Sequence, residues 1–188
     1  MIIPFNILFT LSVILSLILV YLWLAYNSFI VSRNQVKVDF ADIDVQLKRR
    51  ASLIENLVAI VKEYAKHEKD TFVEVAKARS ALDKPHGPGD VAHIDNMLTS
   101  ALRSLFAVSE QYPDLKASTN FQRLQDELKD TEDRIAHFRE EYNESVKNYN
   151  TKIQVFPNVL VASLFGFNEE EMFTSTPSDR ESVAVKTS

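Results

Sequence analysis

The side chains of this 188-residue chain that could hold a metal are four histidines and many carboxylates. A helical zinc site needs two histidines four positions apart, and His67, His86, His93 and His137 form no such pair. His137 and Glu141 are four apart, a spacing typical of a surface contact. The chain has no cysteine, which excludes thiolate ligands and disulfides. The sequence therefore predicts no metal site and no cofactor.

Signatures of a catalytic nucleophile or a phosphate-binding loop are also missing. There is no G-x-S-x-G turn and no glycine-rich loop, and two of the three glycines fall in one short segment. The densest carboxylate run, at residues 126–133, has the composition of a solvated helix face. We therefore predict that the protein is not an enzyme and assign no catalytic residue.

A basic cluster at Lys48, Arg49 and Arg50 is the first candidate interaction site. On a straight helix it would lie roughly 24 Å beyond the first basic residue, Arg33, well outside the ~8–10 Å screening length for attraction to anionic lipid. Two interpretations remain: pairing with acidic residues of a neighbouring helix, or contact with a partner protein. Two aspartates just before the cluster favour internal pairing.

Two Tyr-Asn dipeptides, Tyr142-Asn143 and Tyr149-Asn150, repeat seven residues apart. On a helix this spacing places both tyrosines on one packed seam and both asparagines beside it. Ordinary seam packing, with the hydroxyls reaching the edge, is one interpretation. The other is a ladder that fixes helix register or contacts another subunit. These four residues are the second candidate interaction site.

The helices that must position these residues follow an apolar segment at residues 7–26, which contains no charge. About 20 residues at ~1.5 Å each span roughly 30 Å, the thickness of the hydrocarbon core of a bilayer. A cleaved signal peptide would need a basic start and a shorter apolar run. We therefore expect residues 1–27 to be a single transmembrane anchor that contacts the bilayer through residues 7–26.

The orientation of this anchor follows from its flanking charges. No basic side chain precedes it, whereas Arg33 and Lys37 follow it closely. The positive-inside rule then predicts a single-pass protein of the cell membrane, with a short outer N-terminus and a cytoplasmic C-terminal domain. Tyr21, Trp23 and Tyr26 cluster at the end of the span, where aromatic side chains favour the interface.

Three long helical patterns and a short fourth follow the anchor. Residues 26–84 lack glycine and proline and carry apolar residues at helical spacing; whether this first helix is continuous to residue 83 or breaks near 67–70 stays open. A loop at 84–89 precedes a second helix, for which Asp90 is the expected N-cap. A third helix begins near Thr119, and residues 159–165 form the short fourth, stopped by Gly166.

The third helix has the most regular pattern. Its apolar positions recur every seven residues, which favours coiled-coil-like packing, at Phe121, Leu128, Ile135, Tyr142, Tyr149 and Phe156. The sequence predicts an all-α fold: a transmembrane helix, then an antiparallel bundle at 28–167, then an acidic and Ser/Thr-rich disordered tail at 168–188. The unequal helix lengths leave three explanations: the first helix breaks, part of it stands as a stalk above the membrane, or a second copy covers the exposed stripe. The third predicts a homo-oligomer, and the expected partner is that copy or another membrane-associated protein. The net charge of −5 opposes nucleic-acid binding.

Several ordered blocks of this sequence resemble the LemA family. They include ADIDVQLKRR at 41–50, NFQRLQDEL at 120–128, TEDRIA at 131–136 and YNESVKNYN at 142–150, and they extend over most of residues 26–167. The resemblance implies a single-pass membrane protein with a cytoplasmic antiparallel helical bundle, and it implies no reaction.

The function that follows is a membrane-anchored, non-enzymatic scaffold or interaction protein of the LemA type. One alternative is an accessory subunit of a membrane enzyme or protease system. The other is a bundle that senses a ligand or a metal.

Overall fold

The computed structural model describes residues 5–66, 68–84 and 87–173. Among these residues there are six helices and no strand. Their bounds are α1 Phe5–Tyr64, α2 Lys69–Leu82, α3 Pro88–Ser109, α4 Pro113–Lys116, α5 Thr119–Gln154 and α6 Asn158–Phe165. The all-helical fold predicted from the sequence is confirmed for the described part of the chain.

Helix α1 is 60 residues long and contains the apolar segment. It is long and apolar enough to cross a membrane. The protein does not bury the side chains of its most apolar stretch. It ends at Tyr64, and α2 begins at Lys69. The first soluble helix is therefore not continuous to residue 83, and the interruption lies close to the expected position.

The chain divides into two compact units, and α1 and α5 contribute to both. The described part of the first unit comprises residues 5–38 and 143–171, and that of the second comprises residues 39–142 and 172–173. In the first unit the start of α1, the end of α5 and α6 bury Ala25, Phe29, Tyr149, Ile153 and Val161. Gly166 ends α6 with φ 71°, a left-handed conformation that favours glycine.

The core of the second unit is built by α1, α2, α3 and α5. Each helix contributes residues at three- and four-residue spacing, which is why one face of each is apolar. The fully or nearly fully buried side chains include Ile43, Leu47, Ile54, Leu57, Val61, Val75, Ala78, Leu98, Leu105, Phe121, Leu128 and Ile135.

Two expectations are wrong in detail: the N-cap of the second predicted helix, and the last position in the seven-residue pattern of the third. Helix α3 begins at Pro88 with Gly87 as its N-cap, so Asp90 is not the cap; its carboxylate accepts a hydrogen bond from the Gly87 N–H over 3.2 Å. Proline suits the first turn of a helix because the N–H it lacks has no partner there. Phe156 is 80% exposed, because α5 ends at Gln154 and the seven-residue register stops with it.

The start of the expected tail makes specific contacts. Residues 168–171 belong to the first unit and residues 172–173 to the second, and Glu170 and Phe173 each have side-chain partners there. Residues 174–188, where the tail was expected to be disordered, lie outside the described residues, as do His67 and His86.

Candidate functional site

The three basic residues of the first candidate site have three different environments. Arg50 is buried on the core face of α1. Lys48 is exposed and donates a 2.6 Å hydrogen bond to Asp44, one turn earlier. Arg49 is exposed and makes no ion pair with any residue that the structure describes. Pairing with an acidic residue of a neighbouring helix therefore describes Arg50, whereas Lys48 pairs within α1, and both Lys48 and Arg49 are exposed.

Arg50 belongs to a buried ion-pair network that joins three helices of the second unit. Its Nη1 donates to Asp95 Oδ1 of α3 over 2.6 Å, and its Nη2 donates to the Thr99 hydroxyl over 3.2 Å. From α5, Arg139 Nη2 donates to Asp95 Oδ2 over 2.8 Å. One carboxylate thus binds two guanidinium groups, one on each oxygen.

This network carries two positive charges and one negative charge in a low-dielectric setting. The nearest further carboxylate, Glu132 Oε2, lies 4.0 Å from Arg50 Nη2 and is largely exposed. The Nε atoms of Arg50 and Arg139 are buried with no hydrogen-bond partner among the described residues. Directional ion pairs of this kind fix how helices are paired more than they add stability.

An aromatic cluster lies beside this network in the second unit. Tyr142 is buried against the rings of Phe40 and Phe173, with centroids 5.8 Å and 4.9 Å away. The Arg139 guanidinium lies 5.7 Å from the Phe173 centroid, within the range of a cation–π contact. Tyr142 therefore packs on the seam, as the first interpretation expected, and Phe173 covers it.

The second Tyr-Asn pair holds an extended segment of the first unit. The Tyr149 hydroxyl donates to the Asn168 carbonyl over 3.0 Å. The Asn150 amide exchanges two hydrogen bonds of 2.9 Å with the backbone of Glu170, one in each direction. The Glu170 carboxylate accepts a 2.9 Å hydrogen bond from Arg33 Nε. Tyr149 and Asn150 therefore recognise backbone groups within their own chain.

The environment of Tyr149 disfavours the ionised phenol. Burial raises the pKa of Tyr149 above its ordinary value of 10.0, and the Glu170 carboxylate raises it further, while the Arg33 guanidinium lowers it. The neutral hydroxyl is therefore the stable form in the folded protein, and it is the form that donates to Asn168.

Asn143 completes the residues expected at the second site. It is partly exposed on α5 and has an interaction within the described part of the chain. The predicted residues divide between the two units. Arg50 and Tyr142 belong to the second unit, where Arg139 contacts both the network and Phe173, and Asn143, Tyr149 and Asn150 belong to the first.

A groove of about 410 Å³ lies between α1 and α2 in the second unit. Val58, Ala59 and Val75 contribute apolar walls, and the Lys62 ammonium lies 5.1 Å from the Phe72 centroid. The described residues contain no group of three or more histidine, aspartate or glutamate side chains placed to hold a metal ion. The groove is thus suited to an apolar group rather than to an ion.

Sequence reasoning missed Asp95 and Arg139, which complete the network around Arg50. A signal was present, because Arg50 occupies a position of the α1 stripe where an apolar residue was due. Asp95 lies between stripe residues Ile94 and Leu98 and reads as an ordinary flanking charge. Which acidic residue pairs with Arg50 depends on the lateral placement of α3, and spacing within one helix does not encode that.

Comparison with known proteins identifies relatives over most of the chain. Magnetosome protein MamQ of Magnetospirillum gryphiswaldense is 27% identical over 182 residues, covering 83% of this chain and 67% of the relative. Magnetosome protein MamQ 2 of Paramagnetospirillum magneticum is similar to the same extent. Protein LemA of Metamycoplasma hominis is 29% identical over 162 residues, covering 84% of this chain and 72% of the relative.

The family model described as the LemA family matches residues 39–187. This range includes the Arg50–Asp95–Arg139 network, both Tyr-Asn pairs and all of α2 to α6. The resemblance noted in the sequence blocks is thereby confirmed over well beyond half of the chain, and the chain belongs to the LemA family.

Proposed function

We propose that this protein is a membrane-anchored, non-enzymatic scaffold that binds other proteins at the membrane surface. In this proposal residues 7–26 span the cell membrane once, the short N-terminus lies outside, and the helices from residue 28 onward lie in the cytoplasm. Arg33 and Lys37, directly after the span, support this orientation through the positive-inside rule.

The observation that carries this proposal is the continuity of α1. The same helix contains the apolar segment and the core residues Ile43, Leu47 and Ile54, with no loop between them. A flexible linker would let the cytoplasmic helices diffuse around their tether. A continuous helix contains no such linker between the span and the core residues, which suits a platform for assembly at the membrane.

The proposed arrangement of the cytoplasmic helices is an antiparallel bundle. Within the second unit, Asp95 of α3 pairs with Arg139 of α5, while Phe106 of α3 contacts Phe121 of α5. The contact positions run in opposite directions along the two helices, which supports antiparallel packing. Helix-to-helix connections of this length are usual between antiparallel neighbours.

The proposed partner is a second copy of the chain, which packs along the outer face of α1. Val31, Val38 and Val45 recur every seven residues on this helix and are each more than half exposed. A heptad of exposed apolar residues is the pattern of a helix that packs against another helix.

The experiment that tests this proposal is the mass of the full-length protein in lipid nanodiscs. We expect a defined oligomer for the natural chain and a smaller species for Val38→Glu, because a charge on the stripe opposes helix packing. Gln125→Glu, which adds the same charge to an exposed residue of α5, is the matched control and should leave the mass unchanged. A monomeric natural protein would contradict the homo-oligomer and would direct the search to other membrane proteins recovered with it.

The groove between α1 and α2 favours one second candidate, a bundle that senses an apolar ligand. It has apolar walls and charged residues at its rim, including the ion pair between Arg79 and Glu55. A ligand that binds there would stabilise the folded protein and raise its melting temperature. If Ala76→Trp, which fills the groove, abolished such a rise, the ligand would be assigned to this groove.

A further inference from the structure

The chain contains a second uncharged segment beside the apolar part of α1. Residues 153–168, between Lys152 and Glu169, contain no charged side chain. They comprise the end of α5, the turn at Pro157, α6 and the residues that follow it. The segment belongs to the same unit as residues 5–38, which are themselves uncharged up to Ser32.

Contacts along α1 show that this segment passes down the helix and returns. Lys152 Nζ donates to the Ser32 hydroxyl at the end of α5. Six residues later, the Tyr21 hydroxyl donates to Asn158 Oδ1 over 2.5 Å, at the start of α6. The segment is therefore a hairpin whose turn lies near Tyr21.

The returning arm retraces the same part of α1. Phe165 lies edge-on to Tyr26 with ring centroids 5.1 Å apart, and Phe167 lies 5.2 Å from the Phe29 ring. Glu170 then pairs with Arg33. At both ends of the hairpin, charged residues therefore lie beside the same part of α1. This part of α1 also contains the first charged residue of that helix.

The depth of this hairpin follows from helix geometry. Tyr21 lies five residues before the end of the apolar segment at Tyr26, which corresponds to about 7–8 Å along the helix axis. Helices that lie in the membrane interface bury their apolar face by ~5–10 Å. If residues 7–26 span the bilayer, the turn of the hairpin falls below the surface of the hydrocarbon region.

The outer face of the hairpin is apolar and uncovered by the protein. Phe156 is 80% exposed, Leu160 64% and Leu164 70%, whereas Val161 and Ala162 on the opposite face of α6 are buried. Leu160 and Leu164 are four residues apart and lie along one side of α6, and Phe156 lies in the turn that precedes this helix. Exposure of this apolar face to water would be unfavourable.

The polar groups near the turn are largely satisfied within the chain. Asn158 accepts from Tyr21 through Oδ1 and donates through Nδ2 to the Lys152 carbonyl over 2.9 Å. Pro157 has no N–H to satisfy, and the Val159 and Leu160 N–H groups donate to the Val155 and Pro157 carbonyls. This matters because an unpaired polar group is costly where water is scarce.

We propose that residues 153–168 form a shallow membrane-embedded hairpin beside the span, with bilayer lipid covering Phe156, Leu160 and Leu164. The proposal rests on the proposed function, because it requires residues 7–26 to cross the bilayer. Lipid is the occupant because the apolar face is continuous with that of the span. It also ends at the level where Lys152, Glu170 and Arg33 appear together.

The test uses the full-length protein in phospholipid vesicles and exploits its lack of cysteine. Single cysteines at Leu160→Cys and Leu164→Cys carry a nitroxide label, and collision rates are measured with oxygen, which concentrates in lipid, and with a water-soluble nickel chelate. Leu17→Cys in the span and Lys129→Cys on the exposed face of α5 are the lipid and water controls. We expect labels at 160 and 164 to contact oxygen more than nickel, with nickel contact several-fold lower than at 129, and the deeper label at 17 to show the lowest nickel contact.

Three other outcomes would each overturn the proposal in a recognisable way. If 160 and 164 match 129 while 17 stays in lipid, the hairpin lies in water and the anchor still stands. If 160 and 164 are shielded from both reagents and show spin–spin broadening, a second copy covers the face. If the label at 17 contacts the nickel chelate, the span itself fails, and with it the proposed function.

Discussion

Arg50 is a cation in the core of the second unit. The cost of burying its charge is offset mainly by one carboxylate, that of Asp95. Removing a guanidinium from water costs several kcal/mol, which the pair with Asp95 at 2.6 Å largely offsets. Arg139 depends on the same carboxylate, through its other oxygen at 2.8 Å. The aspartate is therefore not equivalent to either arginine. Loss of one arginine leaves the other paired with Asp95, whereas loss of Asp95 leaves only the 4.0 Å contact between Arg50 and the largely exposed Glu132.

Substitutions in this network should differ in a defined order. Asp95→Ala leaves the buried Arg50 with only the largely exposed Glu132 at 4.0 Å, and Arg139 with no carboxylate partner among the described residues. It should lower the free energy of unfolding by about 3–5 kcal/mol. Arg139→Ala keeps the Arg50–Asp95 pair and should cost roughly 1.5–3 kcal/mol, the worth of a hydrogen bond to a charged group. Chemical denaturation in detergent measures both. Arg123→Ala, on the exposed face of α5, is the control, and equal losses for Asp95 and Arg139 would contradict the shared carboxylate.

Tyr149 should make stability sensitive to alkaline pH. Because its pKa is raised in the folded state, its contribution is fully present below the unfolded value of 10.0 and is lost as pH rises through the folded value. Arg33 and Glu170 are the charged groups that act on it. Melting temperatures of the natural protein and Tyr149→Phe, followed from neutral to alkaline pH, should converge above that range. Parallel curves would show that Tyr149 does not ionise on unfolding.

Residue types indicated some of these roles but not their partners. The register of α1 places Arg50 on an apolar stripe, so an internal role for it was within reach of the sequence. Asn150 binds the backbone of Glu170, and backbone groups do not depend on the residue type. No residue type marks such a partner, which explains why the hydrogen bonds to residues 168–170 were not foreseen.

At the scale of the element, α5 is the helix whose pattern is most regular. Phe121, Leu128, Ile135, Tyr142 and Tyr149 are all buried, as the seven-residue spacing predicted. A helix that buries one stripe along 36 residues depends on every part of that stripe being free of charge. Residues on the other faces of α5 tolerate charge because they remain in water.

A carboxylate on the α5 seam should therefore be far more damaging than one beside it. Ile135→Asp buries an unpaired charge and should lower the free energy of unfolding by several kcal/mol, at least ~3. Ala136→Asp, one residue later on the exposed face, should change it by less than about 0.5 kcal/mol. Thermal denaturation followed by circular dichroism compares the two, and similar losses would mean that the seam is misassigned.

Glycine and proline did not make every helix end predictable, because the N-cap of α3 is Gly87, before Pro88, rather than Asp90. Gly166 ends α6, and Thr119 begins α5, as expected. The interruption between Tyr64 and Lys69 contains neither residue, so the sequence indicated only its neighbourhood. It depends on tertiary packing, since Ala65 at the break is buried in the core.

At the scale of the whole molecule, a substitution at Arg49 should affect the assembly of the protein without affecting its folding. It is exposed and has no ion pair among the described residues, so Arg49→Glu should leave the melting temperature of the protein unchanged within a few degrees. We expect it to weaken a contact between copies or with a partner, measured as mass in nanodiscs and as co-purified protein. Lys48→Glu, which disturbs only a surface pair, is the control. Unchanged assembly for both variants would remove this role from Arg49.

The sequence also predicted the family, the all-helical class and a segment able to cross a membrane. It did not predict that residues 153–168 return alongside α1, because an uncharged stretch of this length reads equally well as a core helix. Only the contacts of Tyr21 and Tyr26 with α6 distinguish the two.

If residues 153–168 enter the bilayer as proposed, their position has a consequence for its shape. A chain that places one helix through both leaflets and a second element, α6, into one leaflet occupies more area on the side of the cytoplasmic domain. Such a wedge expands that leaflet and favours a membrane that bulges toward the domain. Reconstituted protein should then be enriched in smaller vesicles when its domain faces outward, as measured by protein-to-lipid ratio across vesicle sizes. Replacing Leu160 and Leu164 together by glutamine should flatten this dependence while leaving the protein in the membrane.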